Sequence, residues 1–124
     1  MSASYILIAL ALFQIKHYVA DFVLQTRGMV ANKGKYGHPA GLMHASLHAV
    51  LSLPILLFLG GAGVVLALTM GAEALIHYHI DWAKDRLSAH QHLTPSDSSY
   101  WYSFGADQLL HQLTYIGIIA ALTA

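Results

Sequence analysis

Four pairs of side chains able to bind a metal or move a proton stand at i, i+4 spacing in this 124-residue chain: His17 with Asp21, His44 with His48, His77 with Asp81, and Asp107 with His111. Residues four apart lie one above the other on a helix face, so each pair would present a two-step polar ladder to its neighbours. The chain has no cysteine, which excludes thiolate sites and disulfides. Neutral imidazole with carboxylate suits zinc, iron, manganese or a related divalent ion held by three or more ligands. The eight residues would serve one ion with supporting groups around it, or two ions bridged by an aspartate. Carboxylates off the metal would hydrogen-bond the far nitrogens of ligand histidines.

The elements that must position these ladders follow from composition. Hydrophobic residues make up 56% of the chain and charged ones 10%, with a mean hydropathy of +0.54, whereas a soluble domain carries roughly 25% charge. This is a membrane composition. A spanning helix needs about 20 mostly apolar residues, so four spans use nearly the whole chain as one domain, 1–124. The apolar windows fall at about 5–24, 41–59, 62–80 and 106–122. Gly60, Gly61 and Gly63 make the second connection a tight turn, and short links imply antiparallel neighbours. The expected fold is therefore all-α, an antiparallel four-helix transmembrane bundle. The N-terminus lacks the basic region of a signal peptide and reads as a retained span.

Charge placement orients the bundle. Arg27, Lys33 and Lys35 lie in the first connection, and Lys84 and Arg86 in the third. The positive-inside rule puts both in the cytoplasm and both termini outside, in a cytoplasmic (inner) membrane. Lys16, within span one, reads as a side chain snorkelling to that interface. Tyr100, Trp101, Tyr102 and Phe104 suit a headgroup-level belt or a short interfacial helix. Pro54 predicts a kink in span two, which neighbouring helices tolerate. Zero formal net charge gives no support for a nucleic-acid partner.

In this orientation Asp21, His44, Asp81 and Asp107 form a tier near the cytoplasmic surface, with His17, His48, His77 and His111 about 6 Å deeper, at 1.5 Å rise per residue. Glu73, His77, Asp81 and Lys84 share one face of span three, and Gln14, His17, Asp21 and Gln25 one face of span one. His79 points away from His77, and His38, His90 and His92 are connection residues, so these four stay outside the site. Ionisable groups within a bilayer are costly and suggest function. The metal centre competes with two other readings: hydrogen bonds that only join helices, and haem held by two deep histidines, against which the adjacent aspartates count.

A metal there would lower the pKa of a bound water and polarise a phosphoryl or acyl oxygen, with Glu73 or Asp107 as general base. Such a hydrolase would act on a lipid-linked or anionic substrate in the bilayer. Gln25, Lys84 and Gln108 would lie about it, and Arg27, Lys33, Lys35 and Lys84 would attract its charge. A metal or proton transport element is the rival. It requires polar groups through to the outer face, yet beyond Glu73 and Gln14 the outer halves offer only Thr69 and Thr114. The third reading is a structural membrane protein whose ladders specify helix pairing. A homo-oligomer could complete a path or site that one bundle leaves unfinished.

The run from His17 through Ala20-Asp21-Phe22 to Gln25, then Asn32-Lys33, His44 to His48, His77 to Asp81 with Lys84, and Asp107-Gln108 to His111 resembles the bacterial and phage membrane proteins grouped as domain-of-unknown-function family 3307. The resemblance covers nearly the whole chain and implies a small polytopic membrane protein without implying a reaction. His79 departs from the family's pattern in the third motif. The ladders are also similar, in pattern and not in aligned sequence, to inner-membrane metal-dependent hydrolases.

Overall fold

Local chemistry sets most of the helix starts. In the computed structural model, which describes residues 1–124, helix α1 (Ala3–Tyr18) begins behind Ser2, whose Oγ accepts from the Tyr5 N–H. It runs directly into a π-helical turn, Val19–Val23. A short α2 (Arg27–Asn32) follows, capped by Thr26. Helix α3 (Pro39–Phe58) opens on Pro39, with His38 Nδ1 accepting from the Ala40 N–H. Proline suits that position because its missing N–H would have no helical partner there. Two long helices, α4 (Gly63–His90) and α5 (Ser98–Thr123), complete an all-helical chain without strands.

Helices α4 and α5 outrun the apolar windows. Helix α4 continues to His90 instead of ending near Ile80, and α5 starts at Ser98 instead of near Ala106. Hydropathy marks the apolar segment only. Backbone hydrogen bonding carries on through Lys84, Arg86 and Leu87, which are good helix formers. The aromatic run Tyr100 to Phe104 thus forms the first turns of α5 and not a separate interfacial helix. Just before it, Asp97 Oδ2 accepts from both the backbone N–H and the hydroxyl of Thr94 at 2.8 Å. Those bonds hold its carboxyl below the usual carboxylate range.

Helix α3 packs on α1, α2 and α4, α4 packs on α5, and α5 packs back on α1, closing a ring around one interior. That interior has two halves. In one, Ala9, Phe13, Ile55, Leu56, Leu59, Tyr115 and Ile119 form an apolar core, with Phe13 stacked on Tyr115 at 4.9 Å and Tyr5 on Phe58 at 4.1 Å. The other half is polar: ten of the 24 buried residues are polar or charged. Meanwhile Leu7, Ile15, Val64, Leu68 and Leu75 are each more than half exposed. Soluble domains seldom expose extended apolar patches; a bilayer reverses that preference. Three helical segments, Ala3–Val23, Pro39–Phe58 and Gly63–His90, are long and apolar enough to cross a membrane. Helix α5 is not among them, and carries Asp107, Gln108, His111 and Gln112 along its length.

The α3–α4 turn brings the backbone of Gly61 close to that of α3. Its N–H donates to Leu56 O at 2.8 Å, and a Cβ added there would meet the same oxygen at 2.9 Å. That neighbour is backbone and cannot swing aside. Gly61→Ala is therefore expected to destabilise the bundle by about 1–3 kcal/mol, the usual cost of overpacking, read as a lower midpoint in detergent unfolding.

Candidate metal centre

The eight ladder residues converge between α1, α3, α4 and α5. Asp21 lies within the π-helical turn, where Leu24 N–H donates to Val19 O, five residues back. Such turns occur often at functional sites. The wider turn leaves the Asp21 carbonyl to the Gln25 side chain, whose Nε2 donates to it at 3.0 Å. Asp21 then faces three imidazoles: His17 Nε2 lies 3.1 Å from Oδ2, and His44 and His48 Nε2 lie 3.1 and 2.9 Å from Oδ1.

Asp81 forms the second focus. Its Oδ1 is 3.1 Å from His111 Nε2, and its Oδ2 has Lys33 Nζ at 2.9 Å, His44 Nε2 at 3.3 Å and His77 Nε2 at 3.4 Å. Despite three nitrogens in reach, Oδ2 makes no hydrogen bond of sound geometry. His77 is stacked between His48 and His111, with ring centroids 3.7 and 4.1 Å away. Its Nε2 also lies 3.3 Å from that of His44.

Neutral imidazoles that carry their proton on Nε2 can serve both aspartates. Each has one N–H and one lone pair, yet His44 Nε2 faces Asp21, Asp81 and the Nε2 of His77 together, while the Nδ1 atoms of His44 and His48 have no partner. Two groups have ligand atoms within 4.8 Å of one another: Asp21, His44, His48 and His77, and His77, Asp81 and His111. The donor set, imidazole and carboxylate only, fits a divalent ion.

The remaining ladder residues lie outside both groups. His17 Nε2 approaches Gln108 Oε1 at 3.0 Å and its Nδ1 meets Tyr115 Oη at 2.9 Å, which fixes the ring beside Asp21. Asp107 Oδ2 accepts from Gln108 Nε2 at 3.0 Å, its Oδ1 is 3.5 Å from His111 Nε2, and Oδ1 has no hydrogen-bond partner. Lys84 pairs with Asp85 at 3.2 Å and lies over the Phe104 ring. His79 bonds Leu75 O and Tyr36 Oη, away from the cluster.

Lys16 corrects the sequence reading. It does not snorkel: it is 6% exposed, and its ammonium donates to Glu73 Oε1 and, at 3.3 Å, to Tyr115 Oη. Ser52 Oγ donates to the same Glu73 oxygen at 2.8 Å. Glu73, one of two expected bases, is thus held in a buried ion pair beneath the histidines. Sequence reasoning missed Ser52 and Tyr115, although the signal was present. Ser52 follows His48 by four and Tyr115 follows His111 by four, extending two ladders by one rung. Lys33 was also missed as a partner of Asp81, because no spacing rule connects a loop lysine to a helix 48 positions on.

A cavity of about 180 Å³ opens over the acidic tier, lined by Asp21, Gln25, Lys33, Asp81, Lys84 and Asp107 among others. Beneath the histidines, past the Lys16–Glu73 pair, Phe13 and Leu56 are fully buried and close the interior with apolar side chains. Fold and cluster together define an all-helical protein of membrane type with a buried His/Asp centre. The chain belongs to the family described as "Protein of unknown function (DUF3307)", whose model matches residues 8–124. No curated protein and no solved structure matches it.

Proposed function

We propose that this protein is a four-helix transmembrane bundle that holds one or two divalent ions, zinc, iron or manganese, among Asp21, His44, His48, His77, Asp81 and His111, and hydrolyses a membrane-borne substrate at that centre. The observation that carries this reading is the convergence of five ring nitrogens on two aspartates, among them two groups whose ligand atoms lie within 4.8 Å of one another. In the bundle α5 would be the fourth span, its polar residues turned to the interior, where a membrane helix can keep them. The basic connections favour placing the cavity on the cytoplasmic side of the inner membrane.

A bound divalent ion would acidify a water and polarise a phosphoryl or acyl oxygen. Asp107, at the cavity wall with one oxygen unpartnered, would accept the proton as general base. Gln108 holds the other Asp107 oxygen and aligns it with His17. Tyr115 and Gln108 together orient His17 against Asp21, the kind of supporting contact that fixes ligand geometry. Glu73 is engaged by Lys16 and Ser52, so it supports the site from below. Lys33 and Lys84 face the cavity and would attract an anionic substrate. The apolar closure formed by Phe13, Leu56 and their neighbours disfavours a transport path.

The test is elemental analysis with a visible absorption spectrum on the detergent-purified protein, before and after chelation. Stoichiometric zinc, iron or manganese without a Soret band is expected. His48→Ala and His111→Ala should lose it and His79→Ala should keep it. A metal-free stable protein, or equal retention by all three variants, would overturn the site; an intense Soret band would replace it with haem.

A further inference from the structure

A second, larger cavity lies beside the polar one. It is an apolar groove of about 620 Å³ between α4 and α5, walled by Ile76, Ile80, Ala83, Leu87, Ala106 and Leu110, and so within the range of about 300–1,000 Å³ typical of ligand sites. It lies on the outer surface, where Ala83, Leu87, Ala106 and Leu110 are exposed. Lys84 and Asp107 line both cavities. The groove therefore meets the polar cavity at those two side chains, placing an apolar slot and a charged chamber edge to edge.

We infer that the groove seats the hydrocarbon chain of a lipid phosphate whose head enters the polar cavity beside Lys84 and Lys33. This rests on the metal-centre reading and names the substrate class of the same site. Charge supplies the argument for the head. Four carboxylates, Asp21, Asp81, Asp85 and Asp107, line the polar cavity against two ammonium groups, Lys33 and Lys84. Without an ion the chamber carries a formal excess of negative charge and repels phosphate. One divalent ion cancels that excess, a second makes it positive, and phosphate oxygens are hard ligands for such an ion. Binding of the head should accordingly depend on metal, and binding of the chain on the groove. An uncharged lipid of equal chain length would gain nothing from the chamber.

The full chain in phosphatidylcholine nanodiscs, with its metal content measured, is photolabelled with phosphatidic acid carrying a diazirine at the chain end. The comparison probe is diacylglycerol bearing the same chain. Labelling of the groove walls on α4 and α5 is expected to be at least fivefold stronger with phosphatidic acid. The difference should vanish after chelation and in Ala83→Trp, which fills the groove; Ala106→Trp, on the opposite wall, serves if the first variant does not assemble. Water-soluble glycerol 3-phosphate should not compete at equal concentration, since it lacks the chain. Equal labelling by both lipids, or label spread evenly around a metal-loaded bundle, overturns the lipid inference and leaves the metal centre standing. Full competition by glycerol 3-phosphate also overturns it, in favour of a free phosphate ester. Absence of metal from the untreated protein overturns the metal centre itself.

Discussion

Asp81→Asn is expected to abolish stoichiometric metal binding, the largest functional effect of any single substitution in this chain. Asp81 faces His44, His77, His111 and Lys33 at once. No other residue in the cluster links both candidate ligand groups to the basic first connection. Asparagine keeps the size but removes the charge and one acceptor, so a bound ion would lose a ligand and the imidazoles would lose the anion that faces them. Loss of a supporting contact alone costs about 10–100-fold in metal affinity, and loss of a charged ligand should exceed the upper figure. Elemental analysis after gel filtration reads the result directly. Lys33 would also lose its partner, so the variant should be compared with Lys33→Met. That substitution leaves all the His/Asp ligands in place and should retain metal; if it loses metal equally, Asp81 acts through the ion pair and not as a ligand.

The largest effect on stability is expected from breaking the Lys16–Glu73 pair on one side only. Both side chains are almost fully buried, at 5% and 1% exposure. Lys16→Met would leave the buried Glu73 carboxyl with Ser52 as its only remaining donor. Removing one partner of a buried ion pair costs about 3–5 kcal/mol because it strands an uncompensated charge, while replacing both with apolar groups of similar volume is often neutral or stabilising. Lys16→Met and Glu73→Leu singly should therefore lower the unfolding midpoint sharply, and the double variant should recover most of the loss. A double variant as unstable as the sum of the singles would mean that the two side chains act independently. This pair also bears on mechanism, since a Glu73 serving as base would lose activity on Glu73→Gln even where the protein remained folded and metal-loaded.

Much of the site is written in spacing. The i, i+4 pairs place His17 above Asp21 and His77 above Asp81 on any helix, and an apolar chain of this length has few ways to shield them except by turning them inward. His79 was separable from His77 by angle alone, and the structure ties it to Tyr36 instead. What spacing does not carry is how helices rotate against one another. That rotation places His44 between Asp21 and Asp81, stacks His77 between His48 and His111, and leaves His17 and Asp107 at the margin of the ligand groups. The π-helical turn at Val19–Val23 is likewise invisible to a 3.6-residue period, yet it sets the backbone that carries Asp21.

By itself, then, the sequence determined an all-helical chain of membrane composition, the ladders, their common end of the bundle and the family. Each of these follows from residue type and local periodicity, which act within a single helix. Tertiary structure alone decided the Lys16–Glu73 pair, the reach of Lys33 to Asp81 and the junction of the groove with the polar cavity at Lys84 and Asp107. These contacts join segments far apart in sequence, and they depend on packing angles and side-chain reach that no pattern along one strand of sequence encodes. Lys16 shows the difference most plainly. A lysine near the end of an apolar helix is cheapest at the interface, and only a carboxylate delivered by another helix makes the interior the better place for it.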